Sequence, residues 1–364
     1  MILPASPAAR LAAVCSAVPE HWVGREETAQ ALARLFPDED PTLIAQLIER
    51  SGVERRHLAL SLEDTLRPRD FTQRNASYRD LASRLACRAS RGALERAGLD
   101  PRAIDVVIDV SCTGISIPAL DVEIAPCLGL RPDVRRIPIT ESGCAGGALA
   151  LGIAGSFAQC GQSTLIVAVE LCSLTLCRED DSRTNLVSSL LFGDGAAAAV
   201  IVSDGAGAAA DVAPRSRAPR LCAVGSHLFQ GTRGMMGFDV GSHGLRIVLQ
   251  RELPAMLTRS LRAAIEEFLA RHDRALADVG LHLVHPGGRR ILDAYAELFG
   301  LDESALRFSR EALRRYGNLS SASILTVLEL ALDAGARPAP GLECLAIGIG
   351  PGLSMELSLW SWDG

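Results

Sequence analysis

Residues 136–159 read RIPIT, then ESGC, then AGGALALGIAGSFAQ, and this stretch decides the fold. The apolar, β-branched run Arg136–Thr140 passes through Glu141-Ser142-Gly143-Cys144 into a segment whose apolar residues fall at helical spacing. A strand that hands over to a helix through Gly-Cys is part of a crossover unit. The pattern returns later in the chain. There Gly317-Asn318 opens the helix-spaced run SSASILTVLELAL, and 318 less 144 is 174. Separately, strand Ile104–Val110 runs into Ser111-Cys112-Thr113-Gly114 and strand Leu281–Val284 into His285-Pro286-Gly287-Gly288, where 285 less 111 is again 174. Two unrelated landmarks with one offset mark a duplicated α/β unit. In open α/β sheets, strand ends and helix starts are where ligands bind.

Further strands are expected at Thr164–Val169, Ala197–Ser203 and Leu345–Ile349. Helices are expected at Tyr78–Ala97, Cys144–Gln159, Leu253–Ala270, Gly288–Phe299 and Ser320–Ala334. Such alternation predicts a mainly parallel sheet with both faces covered. The small, polar, proline-bearing stretch Asp204–Arg220 reads as a surface connection between two halves, or equally as a long hairpin loop. It divides the chain into 1–203, which carries Cys144, the connection 204–220, and 221–364, which carries His285 and Asn318.

Composition removes whole classes of function. With 364 residues, 48% hydrophobic and 22% charged, the chain buries a large core and is not disordered. A net charge of −6 argues against nucleic acid as a partner. There is no lysine; all 37 basic residues are arginine. That excludes a Walker-type phosphate loop, a Schiff-base enzyme and pyridoxal chemistry, each of which needs a lysine amine. The ten cysteines are scattered without zinc spacing, so no metal and no disulfide framework is expected. Neither a signal-type apolar core near the N-terminus nor a membrane-length apolar run occurs in the sequence, and the expectation is a reduced, cytoplasmic chain with no membrane span.

Cys144, between a strand and a helix, is placed where free N–H groups and the helix dipole favour thiolate over thiol. A buried structural cysteine is the alternative for any one of the ten; the strand–Gly-Cys–helix context favours the nucleophile. His285 ends a buried strand before Pro-Gly-Gly, which projects its side chain towards a cleft. Asn318 would serve as an N-cap on local grounds alone, yet its repeat mate is Cys144. Together they form a Cys–His–Asn set for acyl transfer: a thiolate paired with imidazolium attacks a thioester, and histidine and asparagine donate to the oxygen where charge develops. Hydrolysis and carbon–carbon bond formation both remain open at this point.

At these residues the sequence resembles the type III polyketide synthases, the chalcone synthase-like branch of the thiolase superfamily. The motifs that carry the resemblance run over nearly the whole chain. They are Arg74-Asn75-Ala76-Ser77-Tyr78, Cys112-Thr113-Gly114, Leu128-Gly129-Leu130-Arg131-Pro132 and Gly143-Cys144-Ala145-Gly146-Gly147. Phe192-Gly193-Asp194-Gly195-Ala196, His285-Pro286-Gly287-Gly288, Tyr316-Gly317-Asn318-Leu319-Ser320-Ser321 and Gly348-Ile349-Gly350-Pro351-Gly352-Leu353 complete the series. The resemblance implies a five-layered αβαβα thiolase fold with two pseudo-repeated halves, a homodimer, and a Cys144–His285–Asn318 triad. It implies an acyl-CoA starter loaded on the cysteine, extension by decarboxylated malonyl-CoA, and cyclisation in the same cavity, with no cofactor. Leu176 and Ile247 fall near two gatekeeper positions that are commonly phenylalanine. Ile117 falls on the residue that reaches into the partner's cavity, and Gly350, Pro351 and Gly352 on the loop lining the cyclisation chamber. Arg55 and Arg56 lie where basic residues meet the coenzyme A phosphates; a solvated helix face is the competing reading. Glu141-Ser142 and Glu170-Leu171-Cys172-Ser173-Leu174 look bacterial and point to alkylresorcinol and alkylpyrone synthases, hence an aliphatic starter and a pyrone or resorcinol product. A ketoacyl synthase using an acyl carrier protein shares the triad types, but Pro-Gly-Gly after His285 favours the polyketide branch. A catalytically silent acyl-CoA-binding homologue is the remaining alternative.

Overall fold

The computed structural model describes residues 8–204, 218–242 and 244–362. The N-terminal half runs β1 (Ala9–Ala17), β2 (His21–Gly24), α1 (Arg25–Leu35), α2 (Pro41–Ser51), β3 (Arg55–Leu58), α3 (Leu62–Leu66), α4 (Phe71–Ala97), β4 (Val106–Val110), α5 (Asp121–Leu128), β5 (Arg135–Ile139), α6 (Gly146–Gln159), β6 (Thr164–Leu171), α7 (Arg183–Leu191) and β7 (Asp194–Ser203). The C-terminal half follows with β8 (Arg220–Leu228), β9 (Met236–Gly241), β10 (Gly244–Leu249), α8 (Leu253–Arg271), β11 (Val279–Val284), α9 (Arg289–Phe299), α10 (Arg307–Tyr316), α11 (Ser323–Asp333), β12 (Glu343–Gly350) and β13 (Ser354–Ser361).

Strand order in the large sheet is β11-β12-β13-β8-β1-β7-β6-β4-β5. Only Ala9↔Leu221 and Arg10↔Arg220 join β1 to β8, so two half-sheets meet at a narrow seam. Alternate residues of each strand serve different cores, which is why the strands read as unbroken apolar runs. On β6, Ile166 and Ala168 face a central cluster with α6 and α11, while Leu165, Val167 and Val169 face α4. On β12, Cys344 and Ala346 face the same central cluster, while Leu345, Ile347 and Ile349 pack towards α8 and α9. The layers are therefore α4 and α5, the first half-sheet, α6 with α11, the second half-sheet, and α8 with α9. This is the αβαβα arrangement the sequence implies.

Three expectations need correction. The sheet is mixed: β4–β5, β4–β6 and β11–β12 pair in parallel, but β1–β7, β6–β7, β12–β13, β8–β13 and β1–β8 pair antiparallel. The cause at β12–β13 is a three-residue link, Pro351-Gly352-Leu353, too short for a crossover. Second, the structure joins Cys87 of α4 to Cys127 of α5 as a disulfide, Cα atoms 6.6 Å apart, where unpaired thiols were expected. Third, Cys144 does not open an α-helix; it sits in a 3₁₀ turn, Gly143–Ala145, that precedes α6. Of the connection 204–220, residues 205–217 lie outside the described residues; its flanks Asp204 and Ala218 both bond to Arg10 of β1. Among the described residues no helix is long and apolar enough to cross a membrane.

Candidate active site

Two turns build the site, one from each half. Gly143 and Gly317 hold φ of +50° and +71°, a left-handed backbone open to glycine, and 317 less 143 is the repeat offset of 174. Each leads into a 3₁₀ turn, Gly143–Ala145 and Ser320–Ala322, and then into α6 or α11. The turns press backbone to backbone: a Cβ on Gly147 would stand 2.2 Å from the Ser321 carbonyl oxygen. β12 seals the group from a third side, since a Cβ on Gly350 would stand 2.6 Å from the Ala145 nitrogen. The same strand holds His285, whose N–H donates to the Ile347 carbonyl at 2.8 Å. Leu191 ties the remaining pieces together. Its carbonyl accepts from the Asn318 N–H at 2.9 Å, and its side chain lies 3.6 Å from where Gly288 would carry a Cβ. Cys144, His285 and Asn318 are 7%, 3% and 2% exposed, so all three side chains are withdrawn from solvent.

The Asn318 Oδ1 accepts from the Ser320 N–H at 2.8 Å and from Ser323 Oγ at 3.3 Å. A backbone N–H only donates, so the carboxamide oxygen is consumed locally and the NH₂ is left as the donor end. Cys144 Sγ meets Ser320 Oγ at 3.3 Å. His285 Nδ1 is buried with no hydrogen-bond partner among the described residues. Burial pushes the Cys144 thiol up to about 11; the Ser320 hydroxyl acts against this and the Glu170 carboxylate adds to it. Burial also pushes the His285 imidazole down to about 4. Desolvation thus favours the uncharged form of each group, against the pull of the turn at the head of α6 towards thiolate.

Sequence reasoning missed two participants. Glu170, fully buried at the end of β6, accepts from Ser321 Oγ, from Thr113 Oγ1 at 2.8 Å and from the Cys112 N–H at 3.1 Å. It locks the β4 end to the Asn318 turn; its signal was a carboxylate closing the otherwise apolar strand TLIVAVEL. Burial raises its pKa, and these hydrogen bonds, with a fourth from the Cys112 thiol, oppose that. Ser320 is the other, and nothing in the sequence flagged it beyond its place in the Asn-Leu-Ser-Ser run.

A cavity of about 690 Å³ opens from Cys144. Leu176, Ile247, Pro351 and Gly352 line it, and so does Ile117, which was expected to reach into a partner's cavity, whereas Gly350 packs beneath it on Ala145. Part of its lining is aliphatic, with Leu32 and Leu35 of α1, Leu58, and Leu62 and Leu66 of α3, beside Arg56 and Thr65. Ile117 is 92% exposed, at the cis peptide Ile117-Pro118. Arg55 stands exposed on β3 away from the cavity wall. Arg56 turns inward: its guanidinium is buried and donates to the Phe192 carbonyl at 2.9 Å, and burial lowers it to about 10. Arg56 also lines the cavity, and both arginines stand on a strand rather than on the solvated helix face of the competing reading.

The models for the N-terminal and C-terminal domains of chalcone and stilbene synthases match residues 3–205 and 221–361. The chain belongs to the chalcone and stilbene synthase family, the type III polyketide synthases. The family's members are acyltransferases that form carbon–carbon bonds. Among its relatives, a 1,3,6,8-tetrahydroxynaphthalene synthase of Streptomyces peucetius subsp. caesius is 37% identical, over 97% of this chain and 93% of that one. An alpha-pyrone synthesis polyketide synthase-like protein of Mycobacterium tuberculosis is 27% identical over 97% of this chain and 92% of its own. The crystal structure of 1,3,6,8-tetrahydroxynaphthalene synthase from Streptomyces coelicolor A3(2) superposes with a TM-score of 0.90 at 35% identity, covering 98% and 99% of the two chains.

Proposed function

We propose that this synthase loads an aliphatic acyl group from an acyl-CoA starter onto Cys144, extends it with malonyl-CoA units, and closes the chain to a pyrone or resorcinol-type ring. The observation that carries this reading is the aliphatic wall of Leu32, Leu35, Leu58, Leu62 and Leu66, continuous with the nucleophile's cavity. Five leucines in this part of the lining, beside Arg56 and Thr65, favour a hydrocarbon chain over a polar one. His285 takes the Cys144 proton as the sulfur attacks the starter carbonyl, and coenzyme A leaves carrying that proton. Malonyl-CoA then loses carbon dioxide, and its thioester oxygen takes up the negative charge as an enolate. The Asn318 NH₂ and the His285 ring are the donors for that oxygen. The enolate carbon attacks the Cys144 thioester, the carbon–sulfur bond breaks, and the thiolate returns for the next round.

The higher identity of the tetrahydroxynaphthalene synthases supports a second reading, in which malonyl units alone give a fused aromatic ring. Incubation with labelled malonyl-CoA, with and without fatty acyl-CoA starters, and mass analysis of the products separates the two. Alkyl-bearing pyrones or resorcinols support the first reading; a tetrahydroxynaphthalene formed without starter overturns it. The exposed Ile115 and Ile117 beside the cavity support a homodimer in which this loop is covered by a second copy.

A further inference from the structure

We propose that Ser320 is a positioning residue for the nucleophile: its hydroxyl donates to Cys144 Sγ and holds the sulfur at the head of the cavity, from the turn that also orients Asn318. The inference rests on Cys144 being the nucleophile, as argued above. Among described residues other than glycine, only Asp273 and Ser320 have positive φ. Asp273 is exposed just past the end of α8, but Ser320 is buried with φ of +49°. A left-handed serine inside a core is a strained conformation that its surroundings must impose, and such strain gathers at functional sites. The repeat sharpens the point. The mate of Ser320 is Gly146 (320 less 174), whose φ is an ordinary −57°. The two halves therefore diverge at the residue that faces the sulfur.

What the conformation achieves is visible in its bonds. The Ser320 N–H turns back to Asn318 Oδ1 at 2.8 Å while Oγ reaches Cys144 Sγ at 3.3 Å and Cys112 Sγ at 3.5 Å. One residue thus fixes the donor end of Asn318 and the sulfur together. Glu170 on β6, a carboxylate held by Ser321, Thr113 and Cys112, opposes ionisation of Cys144; the half-buried Cys112 and the buried Cys172 add thiols to the same environment, and burial disfavours the charged form of His285. Loss of the Cys144 proton leaves a charge that the Ser320 hydroxyl meets as a donor alongside the Cys144 N–H, and a donor bonded to a charged acceptor stabilises the ionised form.

The test uses the pH dependence of iodoacetamide alkylation at Cys144, read at that residue by tandem mass spectrometry, in wild type, Ser320→Gly and Ser320→Ala. Ser320→Gly removes the hydroxyl while suiting the left-handed backbone, so its melting temperature should equal or exceed that of wild type. Its alkylation at pH 8 should be about tenfold slower, with the whole profile displaced upward by about one pH unit. Ser320→Ala should show the same displacement. A folded Ser320→Gly protein with the wild-type profile overturns the proposal. The measurement needs no substrate, so a protein that forms no polyketide from any starter would defeat the synthase reading without touching this result.

Discussion

Replacing Gly147 by alanine asks how much the active site depends on two backbones lying in contact. The new Cβ would stand 2.2 Å from the Ser321 carbonyl oxygen and 3.2 Å from the Ile324 side chain. An ordinary contact begins at 3.4 Å, so the two turns must separate by 3.4 less 2.2, or 1.2 Å. Overpacking a core typically costs about 1–3 kcal/mol, and here backbone opposes backbone, which places the cost near 3 kcal/mol. At roughly 2 °C per kcal/mol for a chain of this size, the melting temperature should fall by about 6 °C. The functional effect is larger. Cys144 rides on one turn and Asn318 on the other, and a misplacement of about 1 Å costs on the order of a hundredfold in rate. Differential scanning calorimetry and product formation from labelled malonyl-CoA read the two effects on the same preparation. A variant that melts within a degree of wild type and turns over within twofold of it would refute the claim that this contact sets the geometry.

The other predictions concern pH, the cavity wall and the exposed loop. Burial, aided by neighbouring Asp121, raises the Asp109 carboxyl from 3.8 to about 7. The folded state therefore holds that proton more tightly, and the stabilisation is complete below about pH 4 and lost as pH rises through 7. Asp109→Asn should remove this loss, so urea titrations should find the variant gaining on wild type by a few kcal/mol (about three pH units at 1.36 kcal/mol each) between pH 4 and 7; parallel curves would contradict it. His282 and His285, both pushed down to about 4 by burial, act in the opposite sense, their stabilisation being lost as pH falls through 4, which is why the comparison is made against wild type. Leu176→Phe with Ile247→Phe narrows the cavity beside Cys144 and should shift product formation towards shorter acyl starters, measured as a ratio of kcat/KM across a chain-length series; an unchanged ratio would remove both residues from starter selection. Ile117→Glu should weaken self-association, read as mass by light scattering during gel filtration, and an unchanged dimer or a wild-type monomer would each contradict the proposed dimer contact.

The sequence was most legible where physics leaves few alternatives. β4, β6 and β7 are buried on both faces, so their unbroken apolar runs could be little else. The offset of 174 was equally firm, because Gly143 and Gly317 need the same backbone and both halves reuse it. β8 was invisible: its residues alternate between partial burial and exposure, and its Gly, Ser and Ala carry little apolar signal. The inward turn of Arg56 follows from a carbonyl 136 residues away, which no local pattern encodes. The same limit applies to ionisation. A cysteine at the head of a helix reads as thiolate by local rules, yet depth of burial, a property of the assembled layers, pushes its thiol up. Ser320 illustrates the limit most directly, since a left-handed serine is imposed by its tertiary surroundings rather than chosen by its own preference.

The central claim is that a thioester forms on one particular sulfur. The protein, incubated with an acyl-CoA in the absence of malonyl-CoA and digested at low pH, should yield a peptide bearing the acyl mass on Cys144 by tandem mass spectrometry, and Cys144→Ala should yield none. Acyl mass on Cys112 or another cysteine, with undiminished turnover by Cys144→Ala, would contradict the account.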